Sequence, residues 1–389
     1  MSYDQNRIER LRALMKTHNI DVFYIRELSN IKWATGFDGV FDDEDAHALI
    51  VDTSSIILHT DSRYYHAALE ASLGRPIEVD CSQKTHSDCL VEFLEELNLM
   101  SESLNSMPEF QRFMSDSQGP LKVGIEQSMS LREYRLLELL LYQNNIDAEI
   151  VETSFFVLEL RAVKDPQEIM RLKAAQAISD QAFSHMIDFI KPGMTERKVQ
   201  LELESYMLSH GASSLAFSSI VAAGPNGANP HAIPGESVLE AGQGVVMDFG
   251  ARVLGYCSDM TRMVFLGEPD AQVKKAYEAI REANESVASF LKPGVSGAQA
   301  QELAESILAS RGFEGGMDHS LGHGVGIDVH EKPVLARMND APLEVGNVLT
   351  IEPGIYVPGK FGMRLEDFGI IRANGFDKFT QSTHDMVII

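Results

Sequence analysis

Residues 190–211 read IKPGMTERKVQLELESYMLSHG, and residues 291–312 read LKPGVSGAQAQELAESILASRG. Each stretch holds a helix end, a Lys-Pro-Gly break, a Thr or Ser cap, a second helix and a closing glycine. Further on, LEAGQGVVMDFG (239–250) matches LEVGNVLTIEPG (343–354) at nearly the same offset of about a hundred residues. Chance likeness of helix ends could give the first match alone, but hardly both in one order. The C-terminal half therefore reads as a duplication with pseudo-twofold symmetry, two helices followed by a strand pair in each copy.

Outward from the repeat, Asp165-Pro166-Gln167-Glu168 is a strong helix start, with Asp as N-cap, Pro at the first position and Glu three after the cap. That helix is expected to run towards Ile190, with Leu172, Ala175, Ala182 and Met186 on one face and Ser179 as an exception. Before it lies a boundary near Val157 to Lys164, which gives an N-terminal α/β domain of residues 1–157 and a catalytic domain of residues 158–389. In the first domain, Arg7 to His18 reads as an amphipathic helix and Asp21 to Ile25 as a buried strand. Ala48 to Val51 and Ser55 to Leu58 read as two strands about the turn Asp52-Thr53-Ser54.

A chain of 389 residues, 44% hydrophobic and 23% charged, fits two ordinary globular domains. No apolar run approaches the ~18 residues of a membrane helix, and the charged N-terminus MSYDQNRIERLRALMKTHNI has no signal-peptide core. The three cysteines, Cys81, Cys89 and Cys257, include no CxxC pair and suit a reducing, cytoplasmic setting. A net charge of −24 argues against a nucleic-acid partner.

Two acidic hairpins carry the chemistry. In GVVMDFGARVLGYCSDMTRMVFLG, a turn centred between Val253 and Leu254 would pair Asp248 directly with Asp259. In NVLTIEPGIYVPGKFGMRLEDFGII, a turn centred on Gly359 would set Glu352 opposite Glu366. Opposed like charges inside apolar strands are costly, and bound cations remove the cost. Residues 319–331, HSLGHGVGIDVHE, bring His319, His323 and His330 among glycines that argue for an extended or tightly turning backbone. His330-Glu331 does not open a zincin motif, because no second histidine follows at the required spacing. Carboxylates with one histidine favour Mn, Co, Fe or Zn. Five such ligands can hold two ions ~3.5–4 Å apart, a centre for hydrolysis.

These strings, MDFG, CSDMTR, HSLGHGVGIDVHE, TIEPGIY and MRLEDFGI, stand in the order found in the methionine aminopeptidase, aminopeptidase P, prolidase and creatinase family, which the chain resembles from about residue 160 to its end. SNIKWATGF and the DSRY at Asp61 to Tyr64 resemble that family's N-terminal domain, which places the likeness on the aminopeptidase P and prolidase side. The resemblance implies an α/β (α+β) chain with a pita-bread catalytic domain behind a smaller α/β domain. It further implies an exopeptidase that cleaves Xaa-Pro bonds, with proline second in the peptide. It implies metal ligands at Asp248, Asp259, His323, Glu352 and Glu366, with Asp259 and Glu366 bridging two divalent ions, manganese foremost and Co, Zn or Fe as alternatives. In that scheme a metal-bridging hydroxide attacks the carbonyl before proline, and Glu352 also shuttles the proton. His231 and His330 would meet substrate and the tetrahedral intermediate, and His319 the leaving-group side. Arg364 would orient a ligand carboxylate or touch substrate. A homodimer is implied as well. Met263 departs from the family's usual Thr at a position that touches no ligand. A metal-free creatinase-like hydrolase and a non-catalytic peptide-binding module are the alternatives, and an intact ligand set weighs against both.

Overall fold

A computed structural model describes residues 3–42, 44–105 and 119–389, which form two compact units, residues 1–160 and 161–389. In the first unit, six strands form one mixed sheet: β1 (Val22–Ile25), β2 (His47–Val51), β3 (Ile56–Thr60), β4 (Glu78–Asp80), β5 (Leu121–Glu126) and β6 (Ala148–Thr153), in the order β4-β3-β2-β1-β5-β6. β1 is buried along its whole length, as a central strand covered on both faces must be. The Tyr3–Thr17 helix precedes it, and the turn at Asp52 closes the β2–β3 hairpin through the Asp52 side chain, which accepts from the Ser54 amide at 2.7 Å.

The second unit begins with the Pro166–Phe189 helix, whose capping box is complete: Asp165 accepts from the Glu168 amide while Glu168 accepts from the Asp165 amide. Ser179 lies on the buried face beside Leu172, Ala175, Ala182 and Met186, and its hydroxyl bonds that of Ser258 at 2.9 Å. A polar residue is tolerated in that stripe because its partner is buried with it.

The duplication is present in the backbone. Thr195 caps the Glu196–Ser209 helix and Ser296 caps the Gly297–Ser310 helix. The Lys-Pro-Gly turns then dock identically. Gly193 donates to Leu239 and Gly294 to Leu343, while Leu239 donates back to Met194 and Leu343 to Val295. Each copy builds its own core. One packs Phe183, Leu203, Met247 and Phe249, the other Ile280, Val287, Leu349 and Ile371. Every such side chain removed from water contributes ~1.5–3 kcal/mol.

The strands of this unit are β7 (Ser214–Leu215), β8 (Ile220–Ala223), β9 (Gly244–Phe249), β10 (Ala251–Val253), β11 (Tyr256–Cys257), β12 (Met260–Phe265), β13 (Gly322–Gly324), β14 (Glu331–Leu335), β15 (Val348–Ile351), β16 (Gly354–Val357), β17 (Phe361–Arg364), β18 (Asp367–Arg372), β19 (Gly375–Lys378) and β20 (Val387–Ile388). They make sheets ordered β11-β10-β7, β20-β12-β9-β8 and β14-β13-β15-β18-β19, with β16–β17 as a separate hairpin.

The first acidic hairpin differs from expectation. Asp248 pairs with Thr261, not Asp259, because the turn is centred between Leu254 and Gly255, both at positive φ. A turn of that kind needs two left-handed residues, and a leucine in the first place gives no sign of it. The shift moves the partner by two residues, so the side-chain face is unchanged and both aspartates still reach one centre. In the second hairpin, Ile351 pairs with Asp367 and Gly354 with Arg364, two ladders in one register. Glu352 and Glu366 fall opposite one another in the break between them. Their amides turn elsewhere, Glu352 to the Leu321 carbonyl at 2.8 Å and Glu366 to that of Thr261 at 3.2 Å.

Candidate metal centre

The glycines of HSLGHGVGIDVHE set the stage. β13 is extended, and a methyl group on Gly322 or Gly324 would collide with the carbonyl of Thr350 or Lys332 respectively. Only glycine lets neighbouring backbone come so near, and this holds His323 over the two acidic hairpins.

There the structure brings together Asp248, Asp259, His323, Glu352 and Glu366. His323 Nε2 stands 3.3 Å from Glu352 Oε1 and 3.5 Å from Asp259 Oδ2, and single ligand atoms of Asp259, His323 and Glu366 lie within 4.8 Å of one another. His323 Nδ1 faces the Gly324 carbonyl at 3.1 Å, so the ring proton belongs on Nδ1 and the Nε2 lone pair points at two carboxylates. Three groups that meet through lone pairs converge here, and a proton or a cation is needed between them. Asp248 Oδ1, also buried, has no hydrogen-bond partner. That donor set fits divalent cations and little else.

Electrostatics agree. Burial, then the neighbouring carboxylates Glu366, Asp248 and Glu352, push the Asp259 carboxyl well above its ordinary range. Burial likewise raises Glu366, with Glu352 and Asp248 adding to the effect, and burial raises Glu352. Burial lowers His323, keeping the imidazole neutral and able to ligate.

Arg364 sits among these acids. It pairs with Asp248 through Nη2, donates to the Thr261 hydroxyl at 2.9 Å through Nε and to the Tyr356 hydroxyl at 3.0 Å through Nη1. Thr261 in turn donates to Glu366 Oε2 at 2.8 Å. Tyr356 donates to His319 Nε2 at 2.9 Å, and the His319 Nδ1 proton goes to the Ser320 carbonyl at 2.8 Å. Guanidinium, hydroxyls and imidazole thus form one chain ending on two acidic groups.

The site opens on a cavity of about 640 Å³ lined by Asp248, Asp259, Glu352, His323 and Arg364, with His231, His319 and His330 on its walls. His330 stands edge-on to His323 with ring centroids 4.4 Å apart, and His231 is exposed on a loop. Phe217, Ile233 and Pro234 supply an apolar side.

Three supporting residues escaped the sequence reading. Thr261 and Tyr356 were readable in principle, since Thr261 shares a strand face with Asp259 two residues away. Asn284, buried in the Ala271–Phe290 helix, donates to the carbonyls of Ile351 at 2.8 Å and Leu365 at 3.3 Å. It therefore pins the residues just before Glu352 and Glu366, and nothing in its local sequence announces that contact.

Residues 170–373 match metallopeptidase family M24 and residues 7–163 match the creatinase/prolidase N-terminal domain. The chain belongs to family M24, on its prolidase and aminopeptidase P-like side, and is a metallo-exopeptidase using divalent metal ions. Its architecture is an α/β N-terminal domain followed along the chain by the pita-bread catalytic fold. An Xaa-Pro dipeptidase of Pyrococcus horikoshii is 34% identical over 293 residues, 75% of this chain and 82% of that protein. The solved Xaa-Pro dipeptidase of Bacillus anthracis superposes with a TM-score of 0.87 at 33% identity, over 99% of this chain and 100% of that one. An X-Pro aminopeptidase of Thermotoga maritima gives a TM-score of 0.82 at 31% identity, over 98% of this chain and 100% of that one.

Proposed function

We propose that this chain is a dinuclear-metal Xaa-Pro peptidase, cleaving the bond before proline in dipeptides or at the N-terminus of longer peptides. The observation that carries the reading is the His323 Nε2 lone pair aimed at Glu352 and Asp259. The charge of the site supports two ions. Four carboxylates against the single Arg364 guanidinium leave three negative charges, which two dications and one hydroxide nucleophile bring to neutrality.

Asp248, Asp259, His323, Glu352 and Glu366 would hold the cations, Asp259 and Glu366 between them. Bound there, the metal supplies a lowered pKa for water and a polarised carbonyl. The protein's own residues do the rest. Glu352 would take a proton from the nucleophile and return it to the leaving nitrogen. His231 and His330, on the cavity wall, would bind the peptide and the charge that develops on its carbonyl oxygen. His319, whose imidazole burial pushes down and whose Nε2 meets the Tyr356 hydroxyl at 2.9 Å, would face the leaving group. Arg364 fixes Asp248.

Proline enters as a tertiary amide with a fixed ring and no N–H. The apolar wall of Phe217, Ile233 and Pro234 gives that ring a surface that asks for no donor. Further parts of this reading are manganese as the working metal, a homodimer, residues 158–389 as the catalytic domain, and a cytoplasmic setting suited to three free thiols.

A peptide panel with added manganese tests it. Turnover of Xaa-Pro alone assigns a dipeptidase, and turnover of Xaa-Pro-Xaa-Xaa an aminopeptidase. Failure on both, or equal turnover of peptides without proline, overturns the reading.

A further inference from the structure

We propose that His59, Asp80 and Cys89 form a separate site, in the N-terminal unit, for one divalent cation of the zinc class. The parallel β3–β4 ladder sets His59 directly beside Asp80, and the first turn of the His86–Asn105 helix brings Cys89 over both. His59 Nε2 lies 3.8 Å and Cys89 Sγ 3.6 Å from Asp80 Oδ2, and one ligand atom from each of the three falls within 4.8 Å of the others. A tetrahedral ion with bonds of ~2.0–2.3 Å needs its ligands ~3.3–3.8 Å apart, so these side chains stand near a binding geometry already.

His86 completes the arrangement. Its Nδ1 is 2.6 Å from His59 Nδ1, with the rings nearly perpendicular at 80°. Nε2 lies 3.2 Å from the Ser82 carbonyl as well as 3.8 Å from Asp80 Oδ2, so it donates in the metal-free chain. An ion would claim the Nε2 lone pair and leave the ring proton on Nδ1, shared with His86, the orientation metal-binding histidines take from a partner on their other nitrogen. His59 and Cys89 are buried while Asp80 and His86 are partly exposed, which leaves one side open for a water ligand. Thiolate and carboxylate together neutralise a dication. The bound form replaces the thiol hydrogen with the metal and releases that proton to water. Sulfur also separates this site from the catalytic centre, since thiolate selects zinc or cobalt over manganese. The ion would tie β3, β4 and the helix together at a single point.

Cobalt(II) titration of the full chain tests the site, because thiolate gives cobalt a near-ultraviolet charge-transfer band and the catalytic ligands contain no sulfur. The band is expected in the wild type, in Cys81→Ser and in Cys257→Ser, to vanish in Cys89→Ser, and to be displaced by zinc. No band in the wild type at saturating cobalt, or a band that survives in Cys89→Ser, overturns the proposal. Should Cys89→Ser not fold, alkylation of the wild type decides: zinc must protect Cys89, and an unprotected Cys89 rejects the site. Peptidase turnover is not read in either experiment, so its loss or survival leaves this result separate.

Discussion

His323 Nε2 faces Glu352 Oε1 at 3.3 Å with no proton of its own to offer. Two lone pairs held in that attitude repel unless a proton or a cation lies between them, and the backbone imposes the approach: β13 fixes the histidine, and the break between the two ladders fixes the glutamate. The strain has measurable consequences.

Metal-free protein should gain stability when one of the opposed charges is removed. Asp259→Asn is expected to raise the stability of the chelated protein by about 1–2 kcal/mol while abolishing metal-dependent turnover. Denaturant unfolding after chelation reads the first effect and a peptide assay the second. A D259N variant that is less stable without metal than the wild type would speak against crowded anions.

The same acids give a pH dependence of definite sign. Burial raises Asp259 and Glu366 in the folded state, so the folded protein binds more protons than the unfolded one. Stability of the chelated enzyme therefore falls as pH rises above the ordinary carboxylate range of ~4. With manganese present that slope should flatten, since the ion holds the carboxylates ionised, and metal affinity should climb with pH. Thermal melts across pH, with and without metal, check both slopes.

Glu331 behaves in the opposite way. Burial works to raise its carboxyl, but Arg161 and Lys164 overcome this and hold it at about 2, with Lys164 Nζ 3.0 Å away. Its stabilisation is present above the ordinary carboxylate pKa of ~4.3 and disappears as pH falls towards the folded value. Glu331→Gln removes the carboxylate that Lys164 pairs with and leaves the buried Arg161 with Asp328, and it should cost about 3–5 kcal/mol near neutral pH. In acid the difference between variant and wild type should shrink. Paired urea titrations at the two pH values measure it.

Thr261 is the hinge between Arg364 and Glu366. Thr261→Val removes the hydroxyl at nearly constant volume, and a loss of about 10–100-fold in metal affinity or activity is expected, with Thr261→Ser close to the wild type. Equal behaviour of the valine and serine variants would assign Thr261 to packing alone.

How far the sequence carried this picture depended on which physics was local. The Asp165 capping box, the Lys-Pro-Gly breaks and the turn at Gly359 are local events, and each stands where the residues put it. The Leu254-Gly255 turn was misplaced by one residue because its first left-handed position is occupied by leucine, held there by the hairpin. Period-two geometry forgave the error, since a two-residue slip keeps a side chain on its face. Long-range partners were another matter. Asn284 reaches Ile351 and Leu365 from a helix far away in the chain, and Glu331 finds Arg161 and Lys164 across more than twice that separation. A buried polar residue in an apolar stripe signals that a partner exists, but not which one.

The most direct test is anomalous diffraction from crystals of the full chain grown with manganese. The account predicts two peaks about 3.5–4 Å apart, enclosed by Asp248, Asp259, His323, Glu352 and Glu366. A single ion, or density anywhere that leaves His323 Nε2 facing the carboxylates unbridged, would contradict it.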